Sequence, residues 1–302
     1  MLNSKLFFII NPYATRAHHA EAKIRHTLNR YSTIDYSLGH LRDNCSVDTL
    51  ITSWLPELRQ GGIVVAVGGD GTISTIVNQL KKYKLDNPVG VLPAGSGNDF
   101  ARSHQLPLGV QPGLSYLIHH SQPTALDCLR IESSTGIHYA INSCGVGIDG
   151  RVIHELSAPD PTKSFGQLAY LKSGIESLFH QQAFDVAITV DGQTSPIEQT
   201  LLLVIANHGS FGGGIPILPQ ANPTDGLIDI LYTSRLHALN LLQVVPQLLL
   251  GKHLNHSKVH SLRGHTIELT INQPEFMQAD GEPMGEAEWQ LTCQLTKQMY
   301  LL

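Results

Sequence analysis

The sequence predicts an α/β domain built on a parallel sheet, followed by a C-terminal antiparallel β-sandwich domain. Three observations carry this. Over the first 126 residues, apolar runs alternate with helical periodicity, and two of the runs end in glycine turns that open helices. From about Asp127 the periodicity changes to short β-type runs. Those runs are separated by turn signals at Asp191-Gly192, Asp225-Gly226 and Asp280-Gly281.

Taken in order, Lys5–Ile10 reads as a buried strand that stops at Asn11-Pro12. Ala20–Arg30 has helical character, with Ile24 and Leu28 four apart, and Ile34–Leu38 is the next strand. Ser46–Leu58 reads as one helix, with Val47, Leu50, Ile51, Trp54 and Leu58 on a stripe. Gly62–Val67 is an unbroken apolar strand, a pattern that requires cover on both faces. Ile73, Ile76, Val77 and Leu80 then fall at i, i+3, i+4 and i+7, an amphipathic helix. Pro88–Leu92 is a further buried strand, and Pro93–Asp99 a second glycine-rich turn.

Beyond a join near residues 124–128, β-like runs lie at Cys128–Glu132, His138–Cys144, Phe184–Val190, Thr200–Ala206, Leu227–Tyr232, Thr266–Ile271 and Glu288–Leu295. Helical insertions are expected near Phe165–Phe179 and Ala238–Leu250. The reading is thus an α/β domain over 1–126 and a β-rich domain over 127–295. The tail 296–302 is free to return to the first domain.

Composition narrows the function classes. With 302 residues, 42% hydrophobic and 15% charged, the chain can fill two packed cores. A formal net charge of −5 gives no global positive field, so nucleic acid is not expected as a partner. Cys45, Cys128, Cys144 and Cys293 are scattered without a CxxC pair, which suits a reducing cytoplasm. Leu201–Ala206 and Leu239–Leu250 both fall short of the ~18 apolar residues of a bilayer span. No transmembrane segment is expected, and homodimerisation is left open.

The chemistry sits in two loops of one design. Gly62–Val67 runs into Gly68-Gly69-Asp70-Gly71-Thr72. Glycines let backbone approach a bulky anion, and the following helix offers free N–H groups and a positive dipole end. Thr72 is the expected cap of that helix. Asp70 beside a phosphate calls for a cation between them, for which Mg²⁺ is the natural choice. Asp-Gly is also a common tight turn, but two flanking glycines between a buried strand and a helix favour phosphate binding. The second loop, Pro93-Ala94-Gly95-Ser96-Gly97-Asn98-Asp99, forms another wall beyond the strand ends. There Ser96 can donate to phosphate, and Asp99 adds a carboxylate. A GxxxxGK[ST] P-loop is absent.

Together, Asn11-Pro12, Gly68–Thr72 and Pro93–Arg102 resemble the catalytic-domain family of diacylglycerol kinases, sphingosine kinases and bacterial soluble lipid kinases. The likeness continues through Ala206-Asn207, Phe211–Gly214, Asp225–Ile230 and Asp280–Pro283, and is greatest to the bacterial branch. It implies an NAD-kinase-like α/β domain, a β-sandwich domain and an active site between them. It also implies an ATP- and Mg²⁺-dependent kinase, cytoplasmic or peripheral at the inner face of the membrane. The substrate would be a lipid hydroxyl, with diacylglycerol converted to phosphatidic acid as the leading case.

Carried over by position, the resemblance assigns the nucleotide to Asn11, Pro12, Tyr13, Ala14 and Thr15. It adds Gly68, Gly69, Asp70, Gly71, Thr72, Ile73, Ser74 and Thr75, then Gly95, Ser96 and Asn98. Glu282 is the expected base with Asp280 its rival, and Asp70 and Asp99 support catalysis. Asn222, Asp225 and Leu227 match a structural Mg²⁺ site. Two departures stand out: Tyr13-Ala14-Thr15 replaces the family's small-residue loop, and Ser74-Thr75 replaces Asn-Glu. Thr75 is therefore the feature that favours a catalytically weakened lipid-binding protein, and Asp70, Asp99 and Glu282 oppose it. NAD kinases share the Gly-Gly-Asp-Gly loop, but they resemble this chain much less beyond residue 100.

Other conspicuous residues receive plainer readings. His253, His256, His260 and His265 match no zinc spacing and read as a solvated loop leading to a strand. Lys81-Lys82-Tyr83-Lys84 reads as a solvated helix end. Phe211–Ile215 is balanced between a flexible hairpin and an apolar lip at an acyl-chain entrance. Leu239–Leu250 reads as a packed amphipathic helix rather than one inserted in a membrane surface.

Overall fold

The computed structural model describes residues 4–31, 33–157, 182–210, 213–234, 236 and 238–302. The expected helix near Phe165–Phe179 lies outside the described residues, as do Phe211 and Gly212 of the expected lip. Two compact units are present: Met1–Leu126 with Lys297–Leu302, and Asp127–Thr296.

The first unit contains β1 (Leu6–Ile10), α1 (Ala20–Leu28), β2 (Tyr36–His40), α2 (Val47–Ser53), α3 (Leu55–Leu58), β3 (Ile63–Gly68), α4 (Asp70–Lys82), β4 (Val89–Pro93), α5 (Asp99–Ser103) and α6 (Val110–His119). Its strands run parallel in the order 2-1-3-4, and Tyr300 and Leu301 add a fifth parallel position beside Val89 and Gly90. The chain goes outward from β1 to β2, then returns to the other side of β1 to lay down β3. This reversal opens a crevice at the carboxyl ends of β1 and β3, the usual ligand position in doubly wound sheets.

All residues of β1, β3 and β4 are buried, as expected for a sheet covered on both faces. Ile73, Ile76, Val77 and Leu80 of α4 are each at most 2% exposed. Burying side chains of this size stabilises by about 1.5–3 kcal/mol apiece.

Two local expectations give way. Strand β2 starts two residues later than read. The helix expected over Ser46–Leu58 breaks at Trp54 (φ −99°, ψ 4°) and restarts as α3, with Pro56 in its first turn. A proline has no N–H for the preceding turn and clashes with it, but fits the first turn of a new helix.

The second unit contains β5 (Pro123–Ser133, from Asp127 onward), β6 (Gly136–Ala140), β7 (Ser143–Gly147), α7 (Ile148–Ser157), β8 (Phe184–Val190), β9 (Gln193–Thr200), β10 (Leu202–Ala206), β11 (Ile228–Thr233), α8 (Ala238–Leu249), β12 (Val259–Gly264), β13 (Thr266–Ala279) and most of β14 (Glu282–Leu301). Within this unit the strands pair antiparallel, running β12-β11-β10-β7-β13. The β8-β9 hairpin joins β13 through Ala187–Val190.

Asp191-Gly192 and Asp280-Gly281 each have positive φ at both residues (47° and 83°; 50° and 81°). They close two-residue hairpins, Val190 opposite Gln193 and Ala279 opposite Glu282. Asp-Gly suits such turns because both central residues must enter the left-handed region. Leu203, Ile205, Ile230, Leu269, Ile271, Met277, Trp289 and their neighbours form the core of this unit. Among the described residues, no helix is long and apolar enough to cross a membrane.

Candidate active site

In the first unit, the loops after β1, β3 and β4 meet at the carboxyl ends of their strands. Asn11 leaves β1 with its N–H on Val67 O at 3.0 Å. Its side-chain Oδ1 accepts from Tyr13 N (3.0 Å), an Asx turn, while Nδ2 donates to Thr72 Oγ1 (3.1 Å). Thr72 is therefore not the cap of α4. It sits inside the first turn, and the cap position is Gly69, extended and without a side-chain capping bond. A Cβ on Gly68 would collide with the Thr72 hydroxyl, so the close turn requires glycine there.

The second glycine loop packs directly on the first. Ala94 N donates to Gly68 O (2.7 Å), and a Cβ on Gly95 would lie 2.5 Å from Gly69 Cα. Asp70 completes the junction: its Oδ2 and Oδ1 accept from Asp99 N and Phe100 N, both at 2.9 Å. These are the opening amides of α5, so one carboxylate caps a helix 29 residues away in sequence. Asp70, expected to face Mg²⁺ directly or through water, is engaged as the clamp between the loops. Asn98 bonds Gly95 in both directions (2.9 and 2.7 Å) and is 2% exposed, so it holds the loop's shape rather than facing a ligand.

The remaining expected contacts divide by burial. Pro12, Tyr13, Thr15, Ser96 and Thr75 are exposed, and Ala14 and Gly71 partly so. Tyr13 OH donates to Asp43 at 3.4 Å. Ile73 and Ser74 are each 2% exposed, so only their backbone can serve a nucleotide. Thr75 donates its hydroxyl to Gly71 O (2.7 Å). Asp99 is buried at the start of α5. Arg16, unremarked in the sequence, donates its backbone N–H to Ala94 O (2.8 Å), which places an exposed arginine at the second glycine loop. The signal available was its position, one residue beyond the Asn11–Thr15 loop.

In the second unit, the Asp280-Gly281 turn separates two carboxylates by role. Asp280 is 9% exposed and accepts from Ile141 N (2.7 Å), Asn142 N (2.8 Å) and Ser143 N (3.2 Å). Gln278 fastens the other side, accepting from Gly281 N (2.8 Å) and donating to Asp149 (2.7 Å). Glu282 stands exposed beyond this rigid turn. Surrounding protein nevertheless disfavours its charge and raises its carboxyl above the ordinary value. Solvent access limits that effect.

The expected Mg²⁺ set does not fit. Asp225 gives Oδ1 to Leu227 N (3.0 Å) and Oδ2 to Arg263 (2.9 Å). Asn222 spends Oδ1 on Thr224 N and Oγ1, at 3.1 and 2.8 Å, and its carbonyl on Asp225 N at 3.4 Å. Leu227 contributes its N–H to this network.

Two of the histidines differ from the solvated loop expected, while His256 is partly exposed and His265 exposed. His253 is 2% exposed with Nε2 on Ile217 O (2.7 Å), and burial lowers its pKa. His260 lies in β12, stacked on Tyr232 at 5.0 Å. Among the described residues, no three His, Cys, Asp or Glu side chains form a metal-binding group.

A switch-point cradle of glycines in the first unit thus precedes an antiparallel β unit. Residues 5–131 match the diacylglycerol kinase catalytic domain, and residues 142–296 match the YegS C-terminal NAD kinase β-sandwich-like domain. The chain belongs to the diacylglycerol kinase catalytic-domain family, in its bacterial lipid kinase branch. It is 26% identical over 261 residues to a diacylglycerol kinase of Bacillus subtilis (strain 168), covering 85% of this chain and 83% of that one. It is 27% identical over 207 residues to a diacylglycerol kinase of Mycobacterium tuberculosis (strain H37Rv), covering 68% and 66%. The crystal structure of a diacylglycerol kinase from Bacillus anthracis str. Sterne superimposes with a TM-score of 0.72 at 20% identity, covering 99% and 96%.

Proposed function

We propose that the protein is an ATP- and Mg²⁺-dependent kinase that transfers the γ-phosphate to the free hydroxyl of diacylglycerol, giving phosphatidic acid. The observation that carries this reading is the Asp70 clamp, which locks two glycine loops into one cradle at the β1/β3 switch point. A Cβ on Gly95 has no room there, so backbone meets backbone where the two loops join, which fits a phosphate chain. Names borne by the relatives support the lipid acceptor.

Asn11 and its loop, the backbone from Gly69 to Thr72, and Ser96 would hold the nucleotide. Mg²⁺, when bound with it, would shield phosphate charge. Glu282 takes the proton of the lipid hydroxyl, help worth ~10²–10⁴-fold for a poorly acidic alcohol. Asp280 holds the turn that presents Glu282, because its oxygens are committed to three amides. Positioning and charge stabilisation supply most of the remaining acceleration. Leu249 (47% exposed) and Leu250 (71%) end α8 with apolar surface, which supports a protein working at the cytoplasmic face of the membrane.

The test is radiolabelled ATP offered with diacylglycerol, with other lipid alcohols and with NAD, and product identification by mass spectrometry. Phosphatidic acid as the main product supports the proposal. Labelled NADP would identify an NAD-kinase-like enzyme instead. No transfer to any lipid would identify a binding protein weakened by Thr75.

A further inference from the structure

We infer that the guanidinium of Arg263 is the resident cation of the Asn222–Leu227 turn, and that this protein holds no divalent ion there. Arg263 Nε donates to Asp229 Oδ1 (2.8 Å), and Nη2 reaches Asp229 Oδ2 (3.2 Å), Asp225 Oδ2 (2.9 Å) and Gln220 O (3.4 Å). Three carboxylate oxygens and a carbonyl thus converge on one cation, the hard-oxygen surroundings that Mg²⁺ or Ca²⁺ would otherwise claim. A planar guanidinium meets Asp229 with two parallel bonds, a geometry an ammonium cannot reproduce.

The fold enforces the arrangement. Arg263 and Asp229 are directly opposed in the β11-β12 pairing, so sheet register delivers the cation to the carboxylate. Asp229 is fully buried, and desolvation raises its pKa while Arg263 draws it back down. Removing Arg263 would strand this carboxylate beside Asp225. The turn is fixed from its other side as well: Asp127 N donates to Pro223 O (2.7 Å), and Gly226 N to Asp127 Oδ2 (3.1 Å). The carboxylate oxygens of Asp225 and Asp229 that a metal would gather are therefore already held, and a divalent ion would have to displace a bonded Arg263 to reach them.

The experiment uses the full chain without nucleotide, which separates this question from the proposed activity. Thermal unfolding is followed with MgCl₂, CaCl₂ or an ionic-strength match of KCl, alongside Mn²⁺ binding by electron paramagnetic resonance. In the wild type neither divalent salt should raise the midpoint beyond KCl, and Asp225→Asn should leave Mn²⁺ binding unchanged. Arg263→Ala should melt earlier and recover with Mg²⁺ or Ca²⁺ by about 2–4 °C or more, the shift expected of a modest binding gain in a chain of this size. If Arg263→Ala fails to fold, Arg263→Lys keeps the test: a retained cation should need less added metal. Stoichiometric Mn²⁺ in the wild type that Asp225→Asn abolishes would overturn the inference, as would an Arg263→Ala protein indifferent to divalent ions.

Discussion

Replacing Asp70 by asparagine separates its structural work from a role in metal binding. The carboxylate accepts one N–H at each oxygen, both at 2.9 Å, from the first two residues of α5. An amide side chain has a single accepting oxygen, so Asp70→Asn leaves one N–H facing an NH₂ group. Stranding a part-buried donor costs about 1–3 kcal/mol. Losing the negative charge at the opening turns of α4 and α5 removes about 0.3–1 kcal/mol at each. The expected loss is thus about 2–5 kcal/mol, measured by urea unfolding without nucleotide or metal. Turnover should fall as the second glycine loop loosens, with the Mg²⁺ midpoint little moved. Unchanged stability together with a large shift in the Mg²⁺ midpoint would refute the clamp and restore Asp70 as a ligand.

Glu282→Gln should lower kcat by ~10²–10⁴-fold while nucleotide affinity stays near wild type in equilibrium binding; full activity would remove Glu282 as the base. Because its carboxyl is raised by desolvation, activity should fade as pH drops through a value above the ordinary carboxylate range, and an acidic limb at or below that range would contradict the assignment. Asp280→Asn should lower stability and kcat through the turn yet leave that limb in place, as a pH–rate profile would show. Gly95→Ala, whose Cβ would lie 2.5 Å from Gly69 Cα, should cost about 1–3 kcal/mol and most nucleotide binding, since neither backbone can yield. His104 is pushed down to about 4 by burial, so the folded state keeps it neutral while the unfolded chain takes a proton below about 6.5. Stability should therefore fall by up to roughly 3 kcal/mol between pH 6.5 and 4, and His104→Gln should flatten that slope in denaturant titrations.

Local patterns in the sequence carried far because much of the first unit is built from them. The buried runs that became β1, β3 and β4 and the stripe of α4 declare themselves within a few residues. What escaped depends on partners distant in the chain. Strand β9 (QTSPIEQT) is polar and mostly exposed, and exists because β8 pairs with it. Helix α7 buries Ile148, Val152 and Leu156, but it follows Gly145-Val146-Gly147, which reads as a loop. The two glycine loops could be recognised from composition, whereas the Asp70 clamp requires knowing where α5 begins. Arg263 lies 38 residues from Asp225, and only the β11-β12 register brings them together.

The fifth position of the parallel sheet imposes an order on how the protein comes to be made. Tyr300 and Leu301 lie against β4, and the Tyr300 ring packs tilted on Phe100 at 4.8 Å, the residue whose amide Asp70 holds. Residues 127–296 intervene between the two parts of the first unit. At ribosomal rates of about 5–20 residues per second, β4 waits roughly 10–40 s as an open edge before its neighbour emerges. During that interval the emerging chain carries an apolar strand rim able to pair with other nascent chains. The second unit, although later in sequence, completes its own set of strands before the first can close.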